Sequence, residues 1–311
     1  MLSEMDKEYS LDLLWDLLAQ DSPAGDEAAL SDWLTEWLSS EVPDAVVERL
    51  GDSLIVTRGG APNVAVFAHL DTTGWTLGYD KVLIRIGGPA GKIGDAVRPV
   101  RRPDTGCTLA RRKDGRWKLA GKPDAAPGSR FVYAALPKVD GDQITAPYLD
   151  NRAGLWAALS ALKACPEIAL ALSVQEETGA LGAALTARRL SETYSISQAL
   201  IADLTWDTKH IKRGLGAAVS LRDSSVPRQS YLAHILALAE GSGLPFQREI
   251  EAHGGSDGAG IDHSSVPMDW VFVGAPEKSP HTSHERVHTS DLQSMAALLV
   301  YLVNGLSENR S

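Results

Sequence analysis

The chain has little cysteine, no long apolar run and no excess of positive charge. Its 311 residues include two cysteines, Cys107 and Cys165, whose spacing is unlike that of a zinc-binding cysteine pair. No apolar run approaches the roughly 20 residues that a membrane-spanning helix needs, and the polar first residues lack a secretory signal pattern. These absences predict a reducing, cytoplasmic setting, with a disulfide between the two cysteines as the less favoured alternative.

The charge balance excludes some classes of partner. The formal net charge is −10 at pH 7, and a protein of this charge repels polyanions. We therefore expect neither nucleic acid nor an anionic membrane among its partners. A hydrophobic fraction of 44% is enough for the core of one large domain or of two.

From residue 147 onward, short apolar stretches alternate with helical patterns. The predicted helices cover residues 151–164, 180–190, 228–243 and 291–306, and the predicted strands cover residues 168–174, 199–202 and 270–274. Two amphipathic helices, at residues 9–20 and 26–38, and strands at residues 53–57 and 64–68 come earlier. This alternation predicts an α/β fold with a mixed central sheet and helices on both faces.

Residues 72–146 differ in composition from the rest of the chain. They are rich in Gly, Pro and Arg, and turn signals separate their short β-like pieces. We interpret them as a small inserted β-rich subdomain. Residues 1–71 and 147–311 would then form the main α/β domain.

Two adjacent carboxylates, Glu176 and Glu177, follow the apolar run at residues 168–172. In an open α/β sheet, binding and catalytic residues lie just beyond the carboxyl ends of the strands. Adjacent side chains that leave a strand point in different directions, so one carboxylate can bind a metal while the other transfers a proton. An isolated Glu-Glu pair more often lies in a solvated turn. The interpretation as a catalytic pair therefore depends on the residues that follow the other strands.

Side chains that can bind a metal follow other apolar strands or loops as well. They are His69 with Asp71, Asp150, Asp203 and, after a loop, His281. Imidazole nitrogens and carboxylate oxygens together suit zinc, cobalt or manganese. Each residue alone has a structural interpretation as a core histidine, a helix cap or a salt-bridge partner, and their repeated placement favours a metal site. His284 competes with His281, because both lie in one short segment.

Several segments occur in an order that identifies a family. They are His69-x-Asp71, Leu149-Asp150-Asn151-Arg152-Ala153-Gly154, Glu176-Glu177-Thr178-Gly179, Asp203-x-Thr205 and His281-x-x-x-Glu285, with Ser22-Pro23-Ala24-Gly25 and Gly254-Gly255-Ser256-Asp257 in support. This series resembles the tetrahedral aminopeptidases, the glutamyl/leucyl aminopeptidase family of co-catalytic metallopeptidases. The resemblance spans almost the whole chain and is thin between residues 72 and 146.

The resemblance implies a zinc-exopeptidase-like fold and a dinuclear metallo-aminopeptidase that acts on peptides with a free N-terminus. Two divalent metal ions per subunit are implied, with zinc favoured and cobalt or manganese as alternatives. By this resemblance His69 and Asp203 hold one metal and Glu177 and His281 hold the other. Asp150 would bridge the two metals.

The resemblance also implies the catalytic roles. Asp71 would orient His69, and Glu176 would act as the general base. A hydroxide held by both metals would attack the scissile carbonyl, and Glu176 would pass the proton to the leaving amine. The peptide bond after Asp150 is expected to be cis.

A homo-oligomer is the assembly that the resemblance implies. In the family the inserted subdomain helps to build a large hollow dodecamer. Here the insertion is short and rich in Arg and Pro, so a dimer or another small oligomer competes with the dodecamer. Trp75 and Trp206 lie close in sequence to expected ligands; we expect both to pack in the core, with a place in the lining of the substrate pocket as the alternative.

Three other functions stay open. A related dinuclear carboxypeptidase or N-deacylase would carry its extra domain between the positions of Asp203 and His281, whereas here the extra segment lies between Asp71 and Asp150. A metal-free scaffold on the same fold is less favoured, because every expected ligand is present. A glycan-active enzyme would need two carboxylates but no histidines.

Overall fold

The computed structural model describes residues 10–102, 106–122 and 124–308. The α-helices within these ranges are α1 Asp12–Leu18, α2 Ala28–Glu41, α3 Leu149–Ala164, α4 Leu181–Tyr194, α5 Gln229–Gly241, α6 Asp257–His263 and α7 Thr289–Glu308. The strands of the first half are β1 Val46–Leu50, β2 Ser53–Arg58, β3 Ala65–His69, β4 Gly74–Leu77, β5 Leu83–Ile86, β6 Ala96–Pro99, β7 Cys107–Arg111, β8 Trp117–Ala120, β9 Arg130–Tyr133, β10 Lys138–Asp140 and β11 Gln143–Ala146. Those of the second half are β12 Ile168–Ser173, β13 Gln198–Trp206, β14 Ala217–Ser220, β15 Phe246–Glu249, β16 Asp269–Lys278 and β17 Glu285–His288.

The larger sheet has eleven strands and is mixed, as the sequence predicts. Its central strands β12, β3, β13 and β16 run parallel to one another. The strands on either side are antiparallel, with β1 and β2 at one edge and β17, β11 and β10 at the other. Strands β14 and β15 extend from β16. Because the central strands are parallel, their carboxyl ends lie at one edge of the sheet, and this is where the active sites of α/β sheets are found.

Helices cover both faces of this sheet because the buried strands are apolar on both sides. In β3, Val66 and Ala68 pack into a cluster that includes residues of α1, α2, α3, α5 and α7. Ala65 and Phe67 pack on the opposite face against residues of α4 and α6. Alternate side chains of a strand point to opposite faces, so one short strand anchors two cores. The predicted α/β fold with two covered faces is confirmed.

Helix α3 approaches the sheet very closely. A Cβ on Gly154 would overlap the carbonyl oxygen of Ala202 in β13, so only glycine fits at this contact. The Asn151 amide also donates a hydrogen bond to that carbonyl at 2.9 Å. The start of α3 is therefore held against β13 next to Asp203.

The smaller sheet has six antiparallel strands in the order β5-β4-β9-β6-β7-β8. It has its own apolar cluster, which includes Trp75, Leu109 and Phe131. Trp75 is fully buried there, as predicted. This sheet lies within the segment that the sequence predicts as an insertion.

The strand pairing joins part of the predicted insertion to the larger sheet. Strands β10 and β11 lie inside the predicted insertion of residues 72–146, yet they pair with each other and, through β17, with the larger sheet. Their short polar sequences carry no signal of which sheet they join. The division into two domains remains a prediction, and the ends of its outer segments, residues 1–9 and 309–311, lie outside the described residues.

Most predicted elements occur close to their expected positions. The sequence predicts that the first helix begins at residue 9, which lies outside the described residues, and α1 covers Asp12–Leu18. The strand expected at residues 199–202 is longer and reaches Trp206. None of the described helices combines the length and the apolar character that crossing a membrane requires.

Candidate active site

The predicted site residues meet at the carboxyl ends of the parallel strands. His69 is the last residue of β3 and lies in register with Ser173, the last residue of β12. Asp203 lies in β13. Asp150 lies at the start of α3, where its peptide bond to Asn151 is cis, as expected.

Two groups of side chains have the geometry of metal ligands, and they share one residue. His69, Asp150 and Asp203 form one group, and Asp150, Glu177 and His281 form the other. Within each group the ligand atoms lie within 4.8 Å of one another. Asp150 belongs to both groups, which is the arrangement that a bridging carboxylate requires.

Each histidine faces the shared carboxylate through the same ring nitrogen. His69 Nε2 lies 3.2 Å from Asp150 Oδ1 and 3.7 Å from Asp203 Oδ1. His281 Nε2 lies 3.3 Å from Asp150 Oδ2 and 3.3 Å from Glu177 Oε1. The two oxygens of Asp150 therefore face different histidines.

The other ring nitrogen of each histidine contacts a backbone carbonyl. His69 Nδ1 lies 3.0 Å from the carbonyl oxygen of Asp71, and His281 Nδ1 lies 3.2 Å from that of Gly88. A proton on Nδ1 satisfies each carbonyl and leaves Nε2 as a free ligand atom, which is how outer contacts orient metal-binding histidines. Gly88 belongs to the segment predicted as an insertion, so that segment contributes to the site.

Asp71 contacts more than His69. Its carboxylate accepts hydrogen bonds from the backbone N–H groups of Glu176 at 2.8 Å and Glu177 at 3.0 Å. Its Oδ1 lies 3.6 Å from His69 Nδ1, farther away than its own carbonyl oxygen. Asp71 therefore positions the turn that carries both glutamates, in addition to lying behind the histidine.

Burial and crowding shift the pKa values of the cluster. Burial raises the pKa of Glu177 to about 8, against the opposing charge of His281, and burial raises the pKa of Asp203 to about 6. Burial alone would raise the pKa of Asp150, but the imidazoles of His281 and His69 hold this pKa well below the ordinary value. Burial alone would lower the pKa of His281, yet Asp150 and Glu177 raise it to about 10. The carboxylates outnumber the imidazoles, and a divalent cation would offset this excess of negative charge.

Two buried carboxylate oxygens in the cluster lack hydrogen-bond partners among the described residues. They are Asp150 Oδ1 and Glu177 Oε1. Each lies near a histidine nitrogen without the geometry of a hydrogen bond. Buried polar atoms are normally satisfied, so these oxygens, together with the mixed nitrogen and oxygen donor set, fit metal ions.

Glu176 lies beside both groups and belongs to neither. Burial raises the pKa of its carboxyl well above the ordinary value, although His69 acts in the opposite direction. A carboxylate that faces the cavity and whose pKa is raised suits proton transfer near neutral pH.

His284 points away from the cluster. Its Nε2 lies 3.5 Å from Lys92 Nζ, and its Nδ1 lies 3.3 Å from Ser283 Oγ. Neither of the metal-competent groups in the described part of the chain includes it. The geometry therefore favours His281 over His284 as a candidate ligand.

The cluster opens into a cavity of about 310 Å³. Besides the residues named above, its lining includes Trp206, Phe272, Asp223, Glu249 and Glu251. Trp206 ends β13 and is 42% exposed, so the expectation that it packs in the core is wrong and the alternative, a place in the lining of the cavity, is what the structure shows.

Several residues of the site have no assigned role in the sequence analysis. Glu285 appears there only as part of a motif, and its Oε2 accepts a hydrogen bond from the Asp150 N–H at 3.1 Å. The four-residue spacing between His281 and Glu285 was the sequence signal that could have indicated a role for Glu285. Gly88 had no such signal, because it acts through a backbone carbonyl, and the three carboxylates of the cavity lie outside every motif.

Comparison with known proteins identifies the family. Residues 125–298, more than half of the chain, match the M42 glutamyl aminopeptidase family. The chain belongs to this family. The resemblance to the tetrahedral aminopeptidases is thereby confirmed, and with it the coarse activity of a peptide hydrolase. The family is metal-dependent, in agreement with the histidine and carboxylate groups of the site.

Individual relatives cover nearly the whole chain. A protein of Acetivibrio thermocellus, named provisionally as an aminopeptidase, is 26% identical over 95% of this chain and 99% of its own. An aminopeptidase from the archaeon Desulfurococcus kamchatkensis has a similar fold, with a TM-score of 0.83, 18% identity and 99% of both chains covered. The Pyrococcus horikoshii TET1 peptidase, which can assemble into a tetrahedron or a large octahedral shell, has a TM-score of 0.76, 19% identity and coverage of 97% of this chain and 99% of its own.

Proposed function

We propose that this M42 family member is a dinuclear metallo-aminopeptidase that removes N-terminal residues from peptides. The observation that carries the proposal is the sharing of Asp150 between two ligand groups whose atoms lie within 4.8 Å of one another. A shared carboxylate places two cations side by side, as two-metal hydrolases require. The unsatisfied oxygens of Asp150 and Glu177 support the same conclusion.

The ligands follow from the two groups. His69, Asp150 and Asp203 would hold one divalent ion, and Asp150, Glu177 and His281 the other. Zinc fits this donor set best, with cobalt or manganese as alternatives. When bound, the ions would lower the pKa of a water molecule towards about 7 and polarise the scissile carbonyl.

Glu176 is the residue that would move the proton. Its carboxylate takes a proton from the attacking water and then delivers it to the nitrogen of the leaving amine. The hydrogen bonds from the Glu176 and Glu177 N–H groups to Asp71 fix the backbone that carries both residues. This anchoring allows Glu177 to bind while Glu176 stays available for proton transfer.

The free α-amine of the substrate suits this acidic cavity. Its positive charge is stabilised by the carboxylates around it, whereas the negative C-terminus of a peptide is repelled. This difference favours an aminopeptidase over the related carboxypeptidases and N-deacylases. The presence of both histidines and of Glu176 makes a metal-free scaffold the weaker alternative.

We also propose a homo-oligomer, in keeping with the shells that the Pyrococcus horikoshii peptidase can form. The smaller sheet would form a separate inserted subdomain, whose Gly88 carbonyl holds His281 in place. A cytoplasmic setting stays a prediction from the two cysteines.

Acetylation of the substrate amine tests whether the enzyme requires a free N-terminus. Protein loaded with zinc, cobalt or manganese is assayed on leucine p-nitroanilide, on its N-acetyl derivative and on an N-acetylated dipeptide with a free C-terminus. We expect hydrolysis of the free amine substrate alone. Cleavage of the acetylated dipeptide without cleavage of the free amine substrate would favour the carboxypeptidase or deacylase, and inertness towards all three would favour the scaffold.

A further inference from the structure

The cavity has a second acidic region beyond the proposed metal ligands. Asp223, Glu249 and Glu251 all line it, and we call these three residues the acidic wall. No Lys or Arg occurs among the described residues that line the cavity. The ion pairs near these residues, such as Arg248 with Glu240, leave the acidic wall out.

The acidic wall connects directly to the proposed metal site. Thr205 lies two residues after Asp203 in β13, so their side chains share one face at a spacing of about 7 Å. Thr205 Oγ1 donates a hydrogen bond to Glu249 Oε1. The Glu249 carboxylate therefore lies roughly one extended side chain away from the metal ligands.

Neutral groups hold the acidic wall in place, and none of the ion pairs among the described residues includes its carboxylates. Asp223 accepts hydrogen bonds from the Ser225 N–H at 2.6 Å and from Ser256 Oγ at 2.7 Å. Glu251 Oε1 accepts hydrogen bonds from backbone N–H groups, including that of Gly254 at 3.0 Å. Asp223 and Glu249 are at most 5% exposed. Burial raises the pKa of Asp223 and of Glu249, and a cation supplied by a ligand would offset the cost of keeping such buried carboxylates ionised.

The geometry of the acidic wall is unlike that of a metal site. The described residues contain two groups of three or more converging ligand atoms, and the acidic wall forms neither of them. Its carboxylates do not converge on one point as metal ligands do, an arrangement that suits an organic cation with several N–H donors. Trp206 and Phe272 add aromatic surface to the same cavity, against which an aliphatic stem can pack.

The same cavity is lined by Glu177, which belongs to one of the two proposed metal-ligand groups. The acidic wall and the proposed catalytic centre thus open into one space. A substrate bound at the centre would extend its first side chain into that space.

We propose that the acidic wall selects peptides whose N-terminal residue is Lys or Arg. The inference rests on the proposed aminopeptidase function and specifies its substrate class. The four-carbon stem of Lys or the guanidinium of Arg spans the distance from the reacting carbonyl to Glu249. An N-terminal Glu or Asp is repelled by the same carboxylates.

The test measures selectivity on a panel of p-nitroanilides of Lys, Arg, Leu and Glu. We expect kcat/KM for Lys and Arg to exceed that for Leu by about tenfold or more, the effect of one hydrogen bond to a charged group. Glu249→Gln lowers the Lys-to-Leu ratio by about tenfold. Because Glu249 is buried, Glu251→Gln at a half-buried position tests the same wall without a core substitution. A Lys-to-Leu ratio near one in the native protein, or an unchanged ratio in both folded variants, would overturn the inference.

The matched control is Glu240→Gln. It removes an exposed carboxylate that pairs with Arg248 outside the cavity, and it should leave the Lys-to-Leu ratio unchanged. Inactivity of the loaded native protein on the whole panel would count against the proposed function instead. In that case the unfolding temperature is measured with L-lysinamide and with L-leucinamide, because a bound ligand raises this temperature even when no substrate is turned over. This measurement tests the acidic wall separately from the proposed activity. Stabilisation by L-lysinamide alone supports the acidic wall, and equal or absent stabilisation overturns it.

Discussion

At the scale of single residues, the site depends on how each side chain is held. Both histidines contact backbone carbonyls through Nδ1 and keep Nε2 for the cluster. Sequence motifs identified the histidines and carboxylates that the structure brings together. They did not identify Gly88, because any residue type has a backbone carbonyl and its position depends on the fold.

Substitutions of the two adjacent glutamates should both lower activity but should differ in their effect on metal content. Glu176→Gln removes the proposed base while leaving both ligand groups intact, so we expect kcat to fall by about 10³-fold with metal content unchanged. Glu177→Gln is the matched variant, and it should lose metal as well as activity because its carboxylate belongs to a ligand group. Steady-state kinetics combined with elemental analysis checks both. Turnover retained by Glu176→Gln would remove Glu176 from the base role.

At the scale of elements, the sheet brings distant residues together through the ends of strands that the sequence predicts well. The apolar strands β3, β12 and β13 were recognisable because they are buried on both faces. Strands β14 and β15 were not, since each has four residues and β15 reads Phe-Gln-Arg-Glu. The ends of these two strands and the loops that follow them bring Ser220, Asp223, Glu249 and Glu251 to the cavity, so the candidate ligands were predictable and the substrate pocket was not.

One buried arginine joins α1, α3 and the end of β3. The fully buried Arg152 donates hydrogen bonds to the carbonyl oxygens of Leu17, Leu70 and Gln20 at 3.1, 2.9 and 3.1 Å. A lysine cannot match this fork of donors, so Arg152→Lys should lower the free energy of unfolding by about 3 kcal/mol. Urea denaturation measures the change through the midpoint at constant slope.

The control for this substitution is the exposed Arg188→Lys in α4, which should change stability by less than about 0.5 kcal/mol. Arg188 pairs with Glu192 one helical turn away and is 63% exposed in its side chain. Equal stability of the two variants would show that the hydrogen bonds of Arg152 do not hold the elements together.

At the scale of the whole molecule, the fold and the family were predictable, and the pairing of two strands of the predicted insertion with the larger sheet was not. The motifs are spread over almost the full chain, so their order identified the family. Strands β10 and β11 join the larger sheet through pairing with β17, a long-range contact that has no local signature. The smaller sheet nevertheless reaches the site, because the Gly88 carbonyl, close to its strand β5, contacts His281.

Metal stoichiometry tests the central claim most directly. Elemental analysis after loading with zinc, cobalt or manganese and removal of excess ion should give about two equivalents per chain. His281→Ala should retain about one equivalent and His284→Ala should keep two, because only the first belongs to a ligand group. Two equivalents in the native protein, one of them lost with His281, is the predicted result. A loaded native protein that holds no metal, or a His281→Ala variant that retains both ions, would contradict the account.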